Sequence, residues 1–271
     1  MRSTCEPSHS NRQSGQALVE TAFVIPMMVF FVLGIIQLSL VHHARLMTEY
    51  GAYRAVRSGI VNHGDCSIMT KAALTSLLPT LGPLRGSNGR VDTLPRAMAH
   101  HAVFSQADVS GQYYQAGPLP LLKVEVVNPK RSELDGLFAA YGSHMQGMEI
   151  DYDDVRDDRV IEANLLSVRL VYFYELRVPF ANWQLHSFYM GREYLDELKG
   201  LQFETQRAGG RSATEYLVER GAARDRTHRS LANLSRTGRY VIPLTATWTM
   251  RMQSNLFNNG RRGPAQCAVD A

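Results

Sequence analysis

Apolar residues cluster at the start of this chain. From Ala17 the sequence reads ALVETAFVIPMMVFFVLGIIQLSLVHHA, and between Thr21 and Ala44 there is no Asp, Glu, Lys or Arg. A hydrocarbon core about 30 Å thick is crossed by roughly 20 apolar residues of helix, so the run predicts a membrane-spanning helix. Beyond it, Leu46, Tyr50, Tyr53, Ala55, Val56 and Ile60 continue the apolar and small positions at helical spacing. One helix from about Ala17 to about Asn62 is therefore expected, a rod of roughly 70 Å at 1.5 Å per residue. Pro26 and Gly34 lie inside it, and Pro26 is the position at which it would kink. Asn62, His63, Gly64 and Asp65 supply the turn chemistry that closes it.

After the rod the pattern changes period. Residues 67–82 (SIMTKAALTSLLPTLG) read as a short amphipathic helix that stops before Pro83, and the Gly-, Pro- and Asn-rich stretch to Pro95 reads as a loop. Residues 121–128 (LLKVEVVN) alternate like a strand. Residues 129–142 open with Pro and end in Gly, a helical signature. The β-branched and aromatic run at 165–178 (LLSVRLVYFYELRV), stopped by Pro179, is the clearest strand. Residues 240–253 (YVIPLTATWTMRMQ) form another, with Pro243 suited to an edge or to the residue before the strand proper. Charged segments at 191–203 and 213–236, separated by Gly209 and Gly210, read as surface helices or arms that order against a partner.

These elements define an α+β fold. A long N-terminal helix, membrane-spanning in its first half, packs on a small antiparallel sheet through Tyr50, Tyr53, Val56 and Ile60, and a helical insertion over about 191–236 projects from it. The reason is complementary burial, because a helix face that stays apolar outside the membrane and a half-buried sheet need each other. The expected organisation is a cytoplasmic leader over 1–15, the spanning and extended helix over 16–62, and an outer domain over 63–271. About 210 residues follow the helix, enough for one compact domain.

The apolar run is too long for a secretory signal core and has no small-residue cleavage site behind it. The small residue at a boundary is Gly15, which precedes the run, and one acid, Glu20, lies near the start of it. A carboxylate there is costly and marks a functional residue by default. This arrangement resembles the class III signal of type IV pilins and pseudopilins, in which a dedicated prepilin peptidase cuts after a Gly and a Glu stands five residues beyond it. The finer pattern GQALVE followed by Pro26 resembles the TadE-like branch of the tight-adherence (Flp) pilus systems. The likeness covers roughly residues 12–60 and continues weakly at VYFYELRVPFAN and YVIPLTATWTMRMQS. Gln16 departs from the Phe that type IV pilins prefer as the new N-terminus, which points away from a major pilin.

The resemblance implies processing between Gly15 and Gln16, and assembly through Glu20 and Pro26. The Glu20 carboxylate would neutralise the new N-terminal amine of a neighbouring subunit, since opposite charges attract strongly in a low-dielectric slab. Read from its position alone, Glu20 is an interfacial acid that reaches the headgroups. The implied partners are the prepilin peptidase, other pilin or pseudopilin subunits and the inner membrane. The leader carries Arg2 and Arg12, while Arg45, Arg54 and Arg57 stand beyond the run. A bare count of basic residues therefore does not favour a cytoplasmic N-terminus. A short leader is easily retained, and long domains translocate largely regardless of charge. The resemblance also implies a cytoplasmic N-terminus and a periplasmic domain.

Composition adds exclusions. The net charge of +4 is mild, and no Lys/Arg block occurs, so nucleic-acid binding is not expected. Cys5 lies in the leader, leaving Cys66 and Cys267, which an oxidising compartment would join and a reducing one would leave as thiols. No Cys/His set reads as a metal site. Asp151, Asp153, Asp154 and Asp157 in DYDDVRDD form a weak Ca²⁺ candidate without the EF-hand pattern, and a solvated loop neutralised by Arg156 and Arg159 is the simpler reading. His42 and His43, like His100 and His101, are adjacent pairs that point apart on a helix, and read as interfacial and surface residues. The tyrosines and phenylalanines of 172–189 read as core and sheet packing rather than a cofactor box. No cofactor fingerprint or nucleophile–base motif is present, and none of the three is expected: enzyme activity, cofactor or bound metal. The competing reading is a signal-anchored periplasmic enzyme or sensor whose first helix is only a tether, and which would keep residues 1–15.

Overall fold

The computed structural model describes residues 13–82, 92–106, 119–140, 148–155, 157–198, 226–236, 238–258 and 263–270. The first helix, α1 (Gln13–Val61), is continuous over 49 residues and contains Pro26. α2 (Cys66–Leu77) runs into a 3₁₀ turn at Leu78–Thr80. After α3 (Leu94–Gln106) come β1 (Leu122–Asn128), α4 (Arg131–Ala140), β2 (Glu149–Ile150), α5 (Asp158–Ala163) and β3 (Leu165–Glu175). α6 (Ala181–Leu198), α7 (Arg226–Arg236), β4 (Val241–Arg251) and β5 (Leu256–Phe257) follow, and a 3₁₀ turn at Pro264–Gln266 completes the order.

The sheet is antiparallel in the order β1-β3-β4, with β3 central, and β2 pairs with β5 in a separate two-stranded ladder. β3 is buried at alternate positions, Leu166, Val168, Leu170 and Tyr172. This is the face that meets α1. Gly51 lies so close to β3 that a Cβ would stand 2.9 Å from Leu170 Cδ2. At Gly59 a Cβ would stand 2.8 Å from Leu166 Cδ2 and 2.6 Å from Met69 Sδ. Ala44, Ala52, Ala55, Val56 and Ile60 are buried in the same seam. Each large side chain buried there contributes about 1.5–3 kcal/mol. Tyr53 packs edge-on against Trp248 of β4, with ring centroids 5.8 Å apart. Tyr50 does not lie under the sheet. It is about half exposed and stacks on Tyr53.

Pro243 sits within β4, which is an edge strand, opposite Phe173. The Phe173 N–H donates to Leu121 on the β1 side, so the Phe173–Pro243 pair exchanges no bond that a proline would break. The opposite edge, β1, is covered by the end of the chain. Val126 N–H donates to Cys267 O at 2.8 Å, and Val269 N–H donates to Val126 O at 3.0 Å. Cys267 is disulfide-bonded to Cys66 at the start of α2, across 201 residues of sequence. In the chain-entropy treatment a loop of that size removes about 5 kcal/mol of unfolded-state freedom.

The end of α1 is tied down in the same region. His63 and Gly64 take positive φ, 57° and 70°, and Ser254 bridges them to the sheet. Its hydroxyl donates to Ile60 O and accepts from His63 N–H, both at 2.9 Å. Asp65 then caps α2 by accepting from Ser67 N–H at 2.8 Å and Ile68 N–H at 3.3 Å.

The second face of the sheet is polar at one end and covered at the other. Glu125 on β1 is held by Lys123 and by Arg169 of β3, each at 2.6 Å. Desolvation pushes this carboxyl up, but the hydrogen bonds and charges of Lys123 and Arg169 outweigh it and hold it below the usual carboxylate range. At the covered end Phe173, Val241, Leu119, Met190, Leu231 and Leu234 form a second, smaller core. The 226–236 part of the expected arm is thus a helix that packs on the sheet, because Leu231, Ala232 and Leu234 give α7 an apolar side. The α6 helix begins ten residues before the expected insertion, at Ala181. The middle of that insertion, 199–225, lies outside the described residues, as does most of the expected loop between Pro83 and Pro95.

The close approach at Gly59 yields a prediction. Gly59→Val places two methyl groups between Met69 and Leu166, both fully buried. Overpacking of this kind costs about 1–3 kcal/mol, which outweighs the gain of about 1 kcal/mol or less from replacing a helical glycine. The unfolding temperature of the outer domain should fall. An unchanged or higher transition by circular dichroism would show that the seam is not closely packed.

Candidate functional site

The site candidate is α1 itself, and its two halves differ. Beyond Ala44 the helix is packed by the sheet. Before Leu33 every described side chain is exposed, including Leu18, Val19, Phe23, Val24, Ile25, Met27, Met28 and Phe31. The helix is long and apolar enough to cross a membrane. An apolar surface of this size is unfavourable in water and favourable in lipid, so the half without a protein cover fits a single-pass membrane anchor.

Gly15 and Gln16 lie in the first turn of α1, which starts four residues earlier than Ala17. Glu20 follows, exposed, on the same helix. Pro26 stands inside the helix without ending it. Having no N–H, it leaves the Ala22 carbonyl without its usual intrahelical donor, a weak point in the rod six residues past Glu20.

The boundary between the bare and the covered halves is built around Gln37. This side chain is completely buried, and its Oε1 accepts a hydrogen bond from Val178 N–H at 2.8 Å. Val178 lies just after β3, in the connection to α6. Arg177 anchors the same connection from the other side, donating to Thr80 O at 2.7 Å and lying over the Tyr174 ring. Phe180 follows in the left-handed region, φ +66°. A bulky residue held there costs about 1–3 kcal/mol. Its ring meets Phe30 of α1 edge to face, with centroids 5.7 Å apart. Phe180, Trp183 and Phe188 are exposed, and for the two phenylalanines this corrects the expectation that the tyrosines and phenylalanines of 172–189 serve core and sheet packing. Only Tyr172, Phe173 and Tyr174 are buried to that degree, because they lie on β3, whereas the others follow the strand-stopping Pro179. Gln37 escaped the sequence reading because a lone Gln in an apolar run gives no sign of its partner. A signal for Phe180 and Trp183 was present in the uncharged stretch around them.

The other candidates are placed as follows. Cys66 and Cys267 form the disulfide described above. The acidic stretch is spent locally. Asp151 accepts from Asp153 N–H at 3.1 Å, and Asp157 caps α5 and pairs with Arg159 at 2.9 Å. That pairing and capping hold the Asp157 carboxyl below its usual range. Asp154 is buried and lies near enough for its charge to oppose that lowering. Among the described residues no three His, Cys, Asp or Glu side chains gather as a metal set. His101 is half-buried on α3, and burial pushes its pKa down.

Residues 15–57 match the family model described as TadE-like protein. The match starts at Gly15 and ends within the part of α1 that packs on the sheet, so it spans both halves of the rod. It is the same family that GQALVE and Pro26 resemble. No curated protein and no solved structure matches the chain. The outer domain therefore stands on its own geometry.

The Gln37–Val178 bond gives the prediction here. Gln37→Leu makes the helix more apolar but leaves the buried Val178 N–H without its acceptor, which costs about 1–3 kcal/mol. Membrane insertion should be retained while the detergent-solubilised domain unfolds at lower temperature. Equal stability of mutant and parent would mean that this contact does not hold the connection.

Proposed function

We propose that this chain is a non-enzymatic, pilin-like subunit of the inner membrane, serving assembly of a tight-adherence pilus or a related secretion system. The observation that carries the reading is the TadE-like match over 15–57 on a helix whose residues 18–32 are exposed among the described residues. In this reading the leader is cytoplasmic and is removed by a prepilin peptidase between Gly15 and Gln16. The domain from 63 to 271 is periplasmic, where an oxidising environment suits the Cys66–Cys267 bond.

Assembly then proceeds by lateral packing of apolar helices, first in the bilayer and then in a pilus or its initiating complex. In lipid there is no hydrophobic drive between helices, so packing and polar contacts decide the register. Glu20 supplies the polar contact. Its carboxylate receives the new amino group of Gln16 from a neighbouring subunit, and neither charge is left alone in the apolar slab. Pro26 weakens the helix one to two turns later and allows local adjustment as subunits leave the membrane. A domain of this size suits a minor component better than the major subunit.

Two outcomes test this. In cells that carry the peptidase, intact-mass measurement of membrane-extracted protein should give a chain beginning at Gln16, and Gly15→Val should retain the leader. A parent chain that still begins at Met1 would sink the pilin reading and favour a simple tether. Separately, Glu20→Ala should insert as well as the parent or better, since a charge leaves the apolar segment, yet lose piliation or association with partner subunits. Normal piliation in that mutant would reduce Glu20 to an interfacial residue.

A further inference from the structure

Three large aromatic side chains stand outside the core in and just after the connection whose Phe180 touches Phe30 on the bare half of α1. Phe180, Trp183 and Phe188 are 65%, 59% and 74% exposed. Single exposed apolar residues are ordinary on protein surfaces, but a group of large ones adjoining a membrane anchor is not. From Phe180 to Gly191 the chain has no Asp, Glu, Lys or Arg, and charge resumes at Arg192. His186 lies in this stretch, but it is buried, and burial pushes its pKa down to about 4. The whole stretch is therefore uncharged at neutral pH.

Depth along α1 decides what surrounds these side chains. A span of about 20 residues placed anywhere between Leu18 and Ala44 includes Phe30. Phe180 touches Phe30, so lipid that surrounds Phe30 also meets Phe180. The placement nearest the N-terminus is the one the domain allows, because Gln37 and Ala44 are already covered by protein. With Gln37 at the boundary, Phe30 lies seven residues inside it, about 10 Å along the helix. Amphipathic segments that rest in a bilayer interface bury their apolar side chains to about 5–10 Å. The connection is aimed there at a cost, through the left-handed Phe180 and the Gln37–Val178 bond.

We propose that Phe180, Trp183 and Phe188 form a second membrane contact, an aromatic wedge that enters the leaflet on the domain's side of the bilayer next to the spanning helix. The inference rests on the reading of α1 as a membrane span. Its ligand is the acyl and glycerol region of the lipid, where aromatic side chains with a polar atom, such as the Trp183 indole, concentrate. The contact fixes the domain's rotation about α1 and its height above the bilayer. It thereby sets which side of the helix faces neighbouring subunits.

The test uses the full chain in phosphatidylcholine vesicles made with and without bromine-labelled acyl chains. The protein has two tryptophans, so Trp248→Phe leaves Trp183 as the sole emitter, and Trp183→Phe leaves Trp248. A third protein, Phe30→Trp with both natural tryptophans changed to Phe, reports the span. The expected result is loss of Trp183 emission in bromolipid with little loss to aqueous iodide, loss of the position-30 signal in bromolipid, and a Trp248 signal lost to iodide only. Quenching at position 30 with Trp183 open to iodide would overturn the wedge and leave the span standing. A position-30 signal that escapes bromolipid would overturn both. Equal bromolipid quenching of Trp183 and Trp248 would overturn the wedge as well, since the signal would then report collapse of the whole domain onto lipid.

Discussion

The close contact between the second half of α1 and β3 is the constraint on which the rest of the structure depends. Gly51 and Gly59 remove the side chains that would hold the helix off the strand, and Leu166, Leu170 and Met69 fill the space. Once α1 lies this near, the face of the sheet it covers is settled, because strand alternation sends Leu166, Val168, Leu170 and Tyr172 to one side. The polar side chains of Glu125 and Arg169 then go to the other side, where they pair at the open end of the sheet. α7 takes the remaining apolar end around Phe173 and Val241.

A rod that serves two solvents also needs its outer end held. If α1 rotated or slid on the sheet, the exposed half would present a different side to lipid and to neighbours. Three bonds resist this at its C-terminal end: Gln253 N–H and the Ser254 hydroxyl both reach Ile60 O, and Ser254 also accepts from His63. The Cys66–Cys267 bond adds a covalent tie between the helix that follows and the segment sealing β1. At the other end of the contact, Gln37 ties the rod to the connection after β3. The outer domain therefore grips α1 at two points about 35 Å apart along the helix, by the rise of some 23 residues.

The main scaffold was legible because its signals are strong and local. The charge-free run marked the span, β-branched alternation marked β1, β3 and β4, and Pro179 and Pro243 marked a strand end and an edge. Burial of Val56 and Ile60 followed from spacing alone. What was not legible depended on pairing across distance. The β2–β5 ladder is two residues long on each side and has no periodicity to read. α3 begins at the end of a stretch whose Gly and Pro content reads as loop. α7 looked like a solvated arm because eleven residues rich in Arg and Ser hide three apolar positions that matter only once Phe173 and Val241 are beside them. In the site the same division holds. Gly15, Gln16, Glu20 and Pro26 stand out in sequence because they interrupt an apolar pattern. Gln37 interrupts it too, but its meaning lies 141 residues away.

The boundary at Gln37 joins the two kinds of information. The family model matches residues 15–57, within the rod, and no solved structure matches the chain. A shared assembly helix and an individual outer domain can be combined only if the helix surface facing other subunits is left free by whatever domain it carries. Here the domain meets that condition because, among the described residues, its packing lies along one side of the second half of α1. It covers the helix along one side from Ala44 to Ile60, touches Gln37 and Phe30 through a single connection, and leaves the surface from Leu18 to Val32 without further cover among the described residues. The outer domain is thus free to differ in sequence as long as it preserves two requirements, close packing on the Gly51–Gly59 face and a polar group near Gln37 to settle a buried backbone N–H. The first is met by apolar side chains such as Leu166, Leu170 and Met69, whose places other apolar residues of similar size could take, and the second by a backbone N–H, so neither fixes a motif outside the rod.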